Sequence, residues 1–317
     1  VVYFGSDDGY VYALEGYSLY SQPACNDSID NDNDGSIDLE DYGCKNPTDN
    51  DEYNIMEIGI NLEGMVDYTS AWPFVDVMKH SRIWTISNYD GSGSWSSGES
   101  IPLGGDGYPI YIPYDPDGSG EIKPQVAKTV VMTIGFYPEG NYTLILEGNG
   151  SIKISGSVNN LVYNAPGTYK VFINPGKGIG TFITLTKSEA SDPIRNIRLI
   201  MPGFENNYES QIFHPLYLER LRNFSVLRFM GWSNTNANEI ENWEERTLTS
   251  DPTQSTTSGV SYDYMMELCN RLHQDAWISL PHQIDDNHLR QLARMLKTGL
   301  NKENKIYIEY GNEIWNS

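Results

Sequence analysis

The chain has 317 residues, 39% apolar and 20% charged, which is enough to bury more than one core and unlike the make-up of a disordered chain. Its 21 basic and 43 acidic groups give a formal charge of −22, which repels phosphate backbones and anionic membrane surfaces and argues against a nucleic-acid partner. No stretch approaches the ~18 to 20 consecutive apolar residues of a membrane-spanning helix, and the opening Val1-Val2-Tyr3, with no leader, suggests an internal or processed start.

Residues 1–22 open with two short β-branched and aromatic runs around Asp7-Asp8-Gly9, a strong hairpin signal. The run Gly5-Ser6-Asp7-Asp8-Gly9-Tyr10-Val11-Tyr12-Ala13-Leu14 resembles one blade repeat of the propellers related to quinoprotein dehydrogenases. It occurs once, and a lone hairpin cannot close a propeller. It is the remnant of an upstream array or a strand pair borrowed by its neighbour.

Residues 23–52 form an acidic unit bracketed by Cys25 and Cys44, which pair and leave Cys269 spare on an apolar helical face; the alternative is two free thiols. A bridge of this loop size stabilises by roughly 3 kcal/mol and persists in an oxidising compartment, which points to secretion. Asp30, Asp32, Asp34, Ser36, Asp38 and Asp41 fall at positions 1, 3, 5, 7, 9 and 12 of a calcium loop, with Gly35 at the sharp turn. The pattern resembles the loops of EF-hands, dockerins and thrombospondin type 3 repeats, with Asp41 where EF-hands prefer Glu, and it implies bound Ca2+. A solvated acidic linker is the alternative. Asp115-Pro116-Asp117-Gly118-Ser119 alternates similarly but lacks a ligand at position 12 and reads as a turn. Asn26, Asn141 and Asn223 carry the glycosylation-acceptor pattern.

Residues 53–190 read as short strands and turns. Tyr142, Leu144 and Leu146 alternate, Glu147 to Gly150 forms a turn, and Ile152 and Ile154 follow, with further alternation through Tyr169 to Ile173 and Phe182 to Thr186. This is a β-sandwich signature. Trp72, Trp84, Trp95, Tyr108, Tyr111 and Tyr114 are either flat platforms for sugar rings or ordinary core.

From about 191 to 317 strands alternate with helices. Strands are expected at Asn196 to Met201, Val226 to Trp232, Ala276 to Leu280 and Ile306 to Tyr310, with helices around Leu216 to Arg222, Tyr262 to His273 and after Asp285-Asp286. The fold class expected is thus α+β multidomain, a β-sandwich followed by a partial (β/α) TIM-type barrel. The strand tips carry Arg228 to Trp232, Pro281-His282 and Asn312-Glu313-Ile314-Trp315. These resemble the clan of retaining glycoside hydrolases built on (β/α)8 barrels, and the wider run resembles secreted bacterial proteins with such a barrel.

The resemblance implies Glu313 as the acid/base, Asn312 gripping the sugar 2-OH, Arg228 orienting a nucleophile, His282 in the acid/base network, Trp232 and Trp315 against the substrate, and a β-linked polysaccharide as partner. The other reading of Arg228 is a salt bridge within the sheet, for which Glu309 competes. The clan's nucleophile lies after strand seven, beyond Ser317, so residues 1–317 lack the second carboxylate. The chain therefore requires its C-terminal half or self-assembly, or it is a non-catalytic extracellular structural, fibre-forming or glycan-binding protein.

Overall fold

The computed structural model describes residues 2–5, 11–14, 22–31, 35–41, 43–44, 46–50, 52, 56–115, 123–133, 136–158, 161–177 and 180–312. Two compact units divide at Glu57 and Ile58. The first contains an antiparallel hairpin of β1 (Val2–Gly5) and β2 (Val11–Leu14), then two single 3-10 turns, Ala24–Asn26 and Asp38–Glu40, tied by the Cys25–Cys44 disulfide. Cys269 is a free, buried thiol, as its place on an apolar face requires.

The second unit is α+β and has two sheets. Strand β3 (Met56–Asn61) belongs to the parallel one, described below. The antiparallel sheet has the order β4-β5-β8-β6-β7, from β4 (Thr85–Asn88), β5 (Gln125–Met132), β6 (Gly140–Gly156), β7 (Leu161–Ile173) and β8 (Thr181–Ser188), with β9 (Arg195–Ile200) paired to β6. The period-2 alternation holds along β6, since Tyr142, Leu144, Leu146, Ile152 and Ile154 all point into one core with Val171, Ile173, Ile183 and Leu185.

Three expectations are corrected. Glu147 to Gly150 is a bulge inside a 17-residue strand and not a turn: Gly148 takes φ +77°, and a Cβ there would lie 2.0 Å from the Pro193 carbonyl oxygen. The bulge lets β6 bend. Its first half pairs with β9 and its second half with β8, so all six strands belong to one curled sheet and not to two sandwich sheets. The strand at 195–200 is likewise no member of the parallel series; it runs antiparallel to β6, its backbone using the edge that the bend leaves open.

The parallel sheet has the order β12-β11-β10-β3, with β10 (Phe224–Arg228), β11 (Asp275–Leu280) and β12 (Ile306–Tyr310). Strand β3 takes the place expected for 196–201. Its Gly59 lets the chain approach Val226, where a Cβ would meet the valine Cβ at 3.2 Å, and Leu62 N–H donates to the Arg228 carbonyl at 2.9 Å. The antiparallel sheet is thus inserted in sequence between β3 and α1 (Pro215–Leu221). Helices α2 (Tyr262–Leu272) and α3 (Asp286–Gly299) fall where their 3.6-residue spacing places them, burying Met265, Leu268 and Cys269, and Leu292 and Leu296, against Leu227, Ile278 and Leu280. Ser261 and Asp285 cap them by accepting from Asp263 N–H and His288 N–H. Among the described residues no helix is long and apolar enough to cross a membrane.

Candidate functional site

Parallel strands place their last side chains together at one edge, and here that edge is polar. Arg228 ends β10, Asn61 ends β3, Ser279 lies near the end of β11, Glu309 lies near the end of β12, and Asn312 follows it. Registers of Arg228 with Trp277 and Ser279 with Glu309 bring these residues onto neighbouring positions. The Arg228 guanidinium clasps Glu309, with Nε 3.1 Å from Oε2 and Nη2 2.9 Å and 2.7 Å from Oε1 and Oε2. Nη2 also donates to Asn312 Oδ1 at 3.0 Å, and Nη1 to Asn61 Oδ1 at 3.4 Å.

Two partners of Glu309 escaped the sequence reading, Trp277 Nε1–H at 3.1 Å and the Ser279 hydroxyl at 2.9 Å. Only cross-strand register reveals them. Arg228 also lies 5.4 Å from the Trp277 ring centroid. Burial by itself would raise the Glu309 pKa, but the hydrogen bonds from Arg228 and Ser279, the Arg228 charge and the Trp277 N–H outweigh it and hold the carboxyl below its ordinary value. The result is a fixed ion pair with the neutral Asn312 at its outer side, held at both ends of its amide, since Nδ2 donates to Asn236 Oδ1 at 2.9 Å. Such an oriented amide is able to present itself to a hydroxyl.

The other expected site residues scatter. His282 is exposed; its ring meets Gln283 and its carbonyl accepts from the Tyr310 hydroxyl, and among the described residues it makes no hydrogen bond to Arg228 or Glu309. Trp232 has no exposed face to offer a sugar, being 1% exposed and stacked on Tyr217 and Phe74 in the helix-side core. Glu313 and Trp315 lie outside the described residues. Of the aromatic set before them, Tyr108 is core, Trp72 and Trp84 pack against the core, and Trp95 and Tyr111 are exposed, Tyr111 lining a groove of about 730 Å3 with Tyr89.

In the first unit, Asp32 and Asp34 lie outside the described residues, and no group of three or more metal-ligating side chains is found among the described ones. Asp30 Oδ2 accepts from Gly35 N–H at 3.0 Å, with Gly35 at φ +99°, the turn expected of it. Asp38 Oδ1 accepts from the N–H groups of Asp27 and Ser28. Glu52, which the sequence reading missed, is 1% exposed and joins both limbs of the loop, accepting from Asn31 N–H and Asp38 N–H at 2.7 Å each. Asp41 is 2% exposed; its Oδ1 accepts from Gly43 N–H while its Oδ2 finds no hydrogen-bond donor among the described residues. Asp41 Oδ2 is thus a buried carboxylate oxygen left without a donor among the described residues. Compared with protein-family models the chain matches none, and a comparison with curated proteins likewise finds no match.

Proposed function

We propose that the chain is a secreted, carbohydrate-active protein of glycoside hydrolase type, acting on a β-linked polysaccharide. Strands β3, β10, β11 and β12 are read as the first half of a (β/α)8 barrel, with the second carboxylate supplied beyond β12. The observation that carries this reading is the Arg228 fork joining Glu309 and Asn312 at the carboxyl ends of parallel strands. Asn312 would bind a sugar hydroxyl. Glu313, next in sequence, would donate the proton that a glycosidic oxygen needs to leave. Because Arg228 is already neutralised by Glu309, its role here is to position Asn312 and not to hold a nucleophile.

The acidic loop is proposed to hold Ca2+, with Asp30, Asp32, Asp34, Ser36, Asp38 and Asp41 around it; Asp41 Oδ2 is the observation in its favour. The cation would neutralise the loop's carboxylates and fix its two limbs. The Cys25–Cys44 disulfide supports secretion. A second reading, an extracellular structural or self-assembling protein, is favoured by β12, the outer strand of its sheet, which leaves Ile308 52% and Tyr310 57% exposed although its sequence is that of a buried strand. Reducing-end release from β-glucan, xylan and mannan by the longest natural form and by its Glu313→Gln variant separates the two: hydrolysis lost in the variant supports the enzyme, and equal activity in both removes Glu313 from the mechanism.

A further inference from the structure

Where β9 passes the 3-10 turn Val77–His80, a cavity of about 400 Å3 opens, lined by Asp76, Lys79, Arg198, Tyr208 and Tyr264 among others. It shares no residue with the Arg228–Glu309 cluster. Asp76 is 7% exposed, and its Oδ1 is committed to structure, accepting from Met78 N–H at 3.2 Å and Leu199 N–H at 3.0 Å. Its Oδ2 is different. That oxygen is buried without a hydrogen-bond donor among the described residues, and Arg198 Nη1 stands 3.8 Å away, beyond hydrogen-bond reach. A buried carboxylate oxygen in this state is costly unless a partner from outside the chain supplies a donor.

The walls specify that partner. Arg198 is the accessible member: its side chain is 38% exposed, and its guanidinium lies 5.5 Å from the Tyr208 ring centroid. Lys79 is not available, because its ammonium donates to the carbonyls of Thr249 at 2.8 Å and Asp251 at 2.7 Å and so pins that loop over the cavity. Lys79 and Arg198 are countered by Asp76 and Glu209, so neither a phosphate nor a polyamine meets a net opposite charge. Phe74, Tyr208 and Tyr264 give apolar surface. The cavity lies at the small end of the ~300 to 1,000 Å3 range of small-molecule sites, which suits one or two sugar rings.

We propose that this cavity binds a neutral pyranose, one hydroxyl bridging Asp76 Oδ2 and the Arg198 guanidinium, with the ring's C–H face against Tyr208. Because Oδ2 is covered at rest, Arg198 lifts to admit the hydroxyl and settles on it. The site is independent of the catalytic reading above.

Calorimetric titration of the whole protein with cellobiose, xylobiose and mannobiose, with digalacturonate as the acidic counterpart, tests this. At least one neutral disaccharide binds, and Arg198→Ala and Tyr208→Ala, both at accessible positions with far-ultraviolet circular dichroism unchanged, each weaken it by about tenfold or more. The proposal is overturned if no neutral disaccharide binds the wild type, if both variants keep its affinity within about twofold, or if digalacturonate binds more tightly. Loss of binding in Asn312→Ala instead would place the sugar on the parallel sheet and overturn it equally.

Discussion

Removing the charge of Glu309 tests whether the polar edge of the parallel sheet is a built unit. Glu309→Gln keeps the shape but sets an amide N–H2 against donors from Arg228, Trp277 and Ser279. Arg228 would then lose its anionic partner and keep only neutral acceptors, one amide oxygen at position 309 together with Asn312 and Asn61. The pair is about four-fifths buried, at 21% and 22% side-chain exposure, between the exposed pairs that contribute ~0 to 1 kcal/mol and the buried pairs whose disruption costs ~3 to 5 kcal/mol. We expect a loss of about 2 kcal/mol for Glu309→Gln, and a coupling energy of about 1 to 2 kcal/mol in a double-mutant cycle with Arg228→Met.

The assay is urea unfolding followed by tryptophan fluorescence, repeated as pH falls. Since the Glu309 carboxyl is held below its unfolded value of 4.5, its contribution is complete above that value and is lost as pH drops through the folded one. The wild type should therefore converge on Glu309→Gln in acid. A coupling below ~0.5 kcal/mol at pH 7, or a gap between the two proteins that widens in acid, would refute the reasoning.

Three further outcomes follow from other parts of the molecule. Chelator should lower the melting midpoint of the wild type by removing a stabilising ion, and Asp41→Asn should abolish most of that shift; midpoints that ignore chelator in both proteins would discard calcium. His80 is fully buried, with Nε2 accepting from Phe74 N–H and Nδ1 against the Tyr137 hydroxyl, and burial, with a smaller push from His214, lowers its pKa to about 3. Unfolding takes up its proton anywhere between that value and 6.5, so stability should fall as pH drops from 6.5, by about 2 to 3 kcal/mol at pH 4.5. His80→Gln should flatten that slope, and an unchanged slope would contradict the assignment. Gly148→Ala should cost at least about 2 kcal/mol by urea midpoint, because it combines a left-handed φ with a clash against Pro193; a near-neutral result would mean that the bulge relaxes.

Local periodicity made some of this molecule legible. Helices α2 and α3 follow from apolar spacing at Met265, Leu268 and Cys269 and at Leu292 and Leu296, and the disulfide follows from two cysteines flanking a loop with little core of its own. Alternation located the strand residues of β6 but not its continuity, because Gly148 and Gly150 serve a turn and a bulge equally well in sequence. Strand β3 was hidden by distance: its partner β10 follows more than 160 residues later, after an insertion that looks like an independent domain.

The site divides in the same way. Arg228 and Asn312 stand out in sequence by position, and Glu309 as a competitor for Arg228, whereas Trp277 and Ser279 join them only through the parallel register. Glu52 and Asp76 are unremarkable acidic residues until burial and unmatched oxygens single out their surroundings.

Titration of soluble β-glucan, xylan and mannan against the emission of Trp277, whose indole is bonded to Glu309 and 37% exposed, tests the central claim most directly. The account predicts a saturable change with one of these chains, absent in Trp277→Phe and shifted to about tenfold weaker binding in Asn312→Ala. An emission indifferent to all three polymers, or an affinity that Asn312→Ala leaves unchanged, would contradict it.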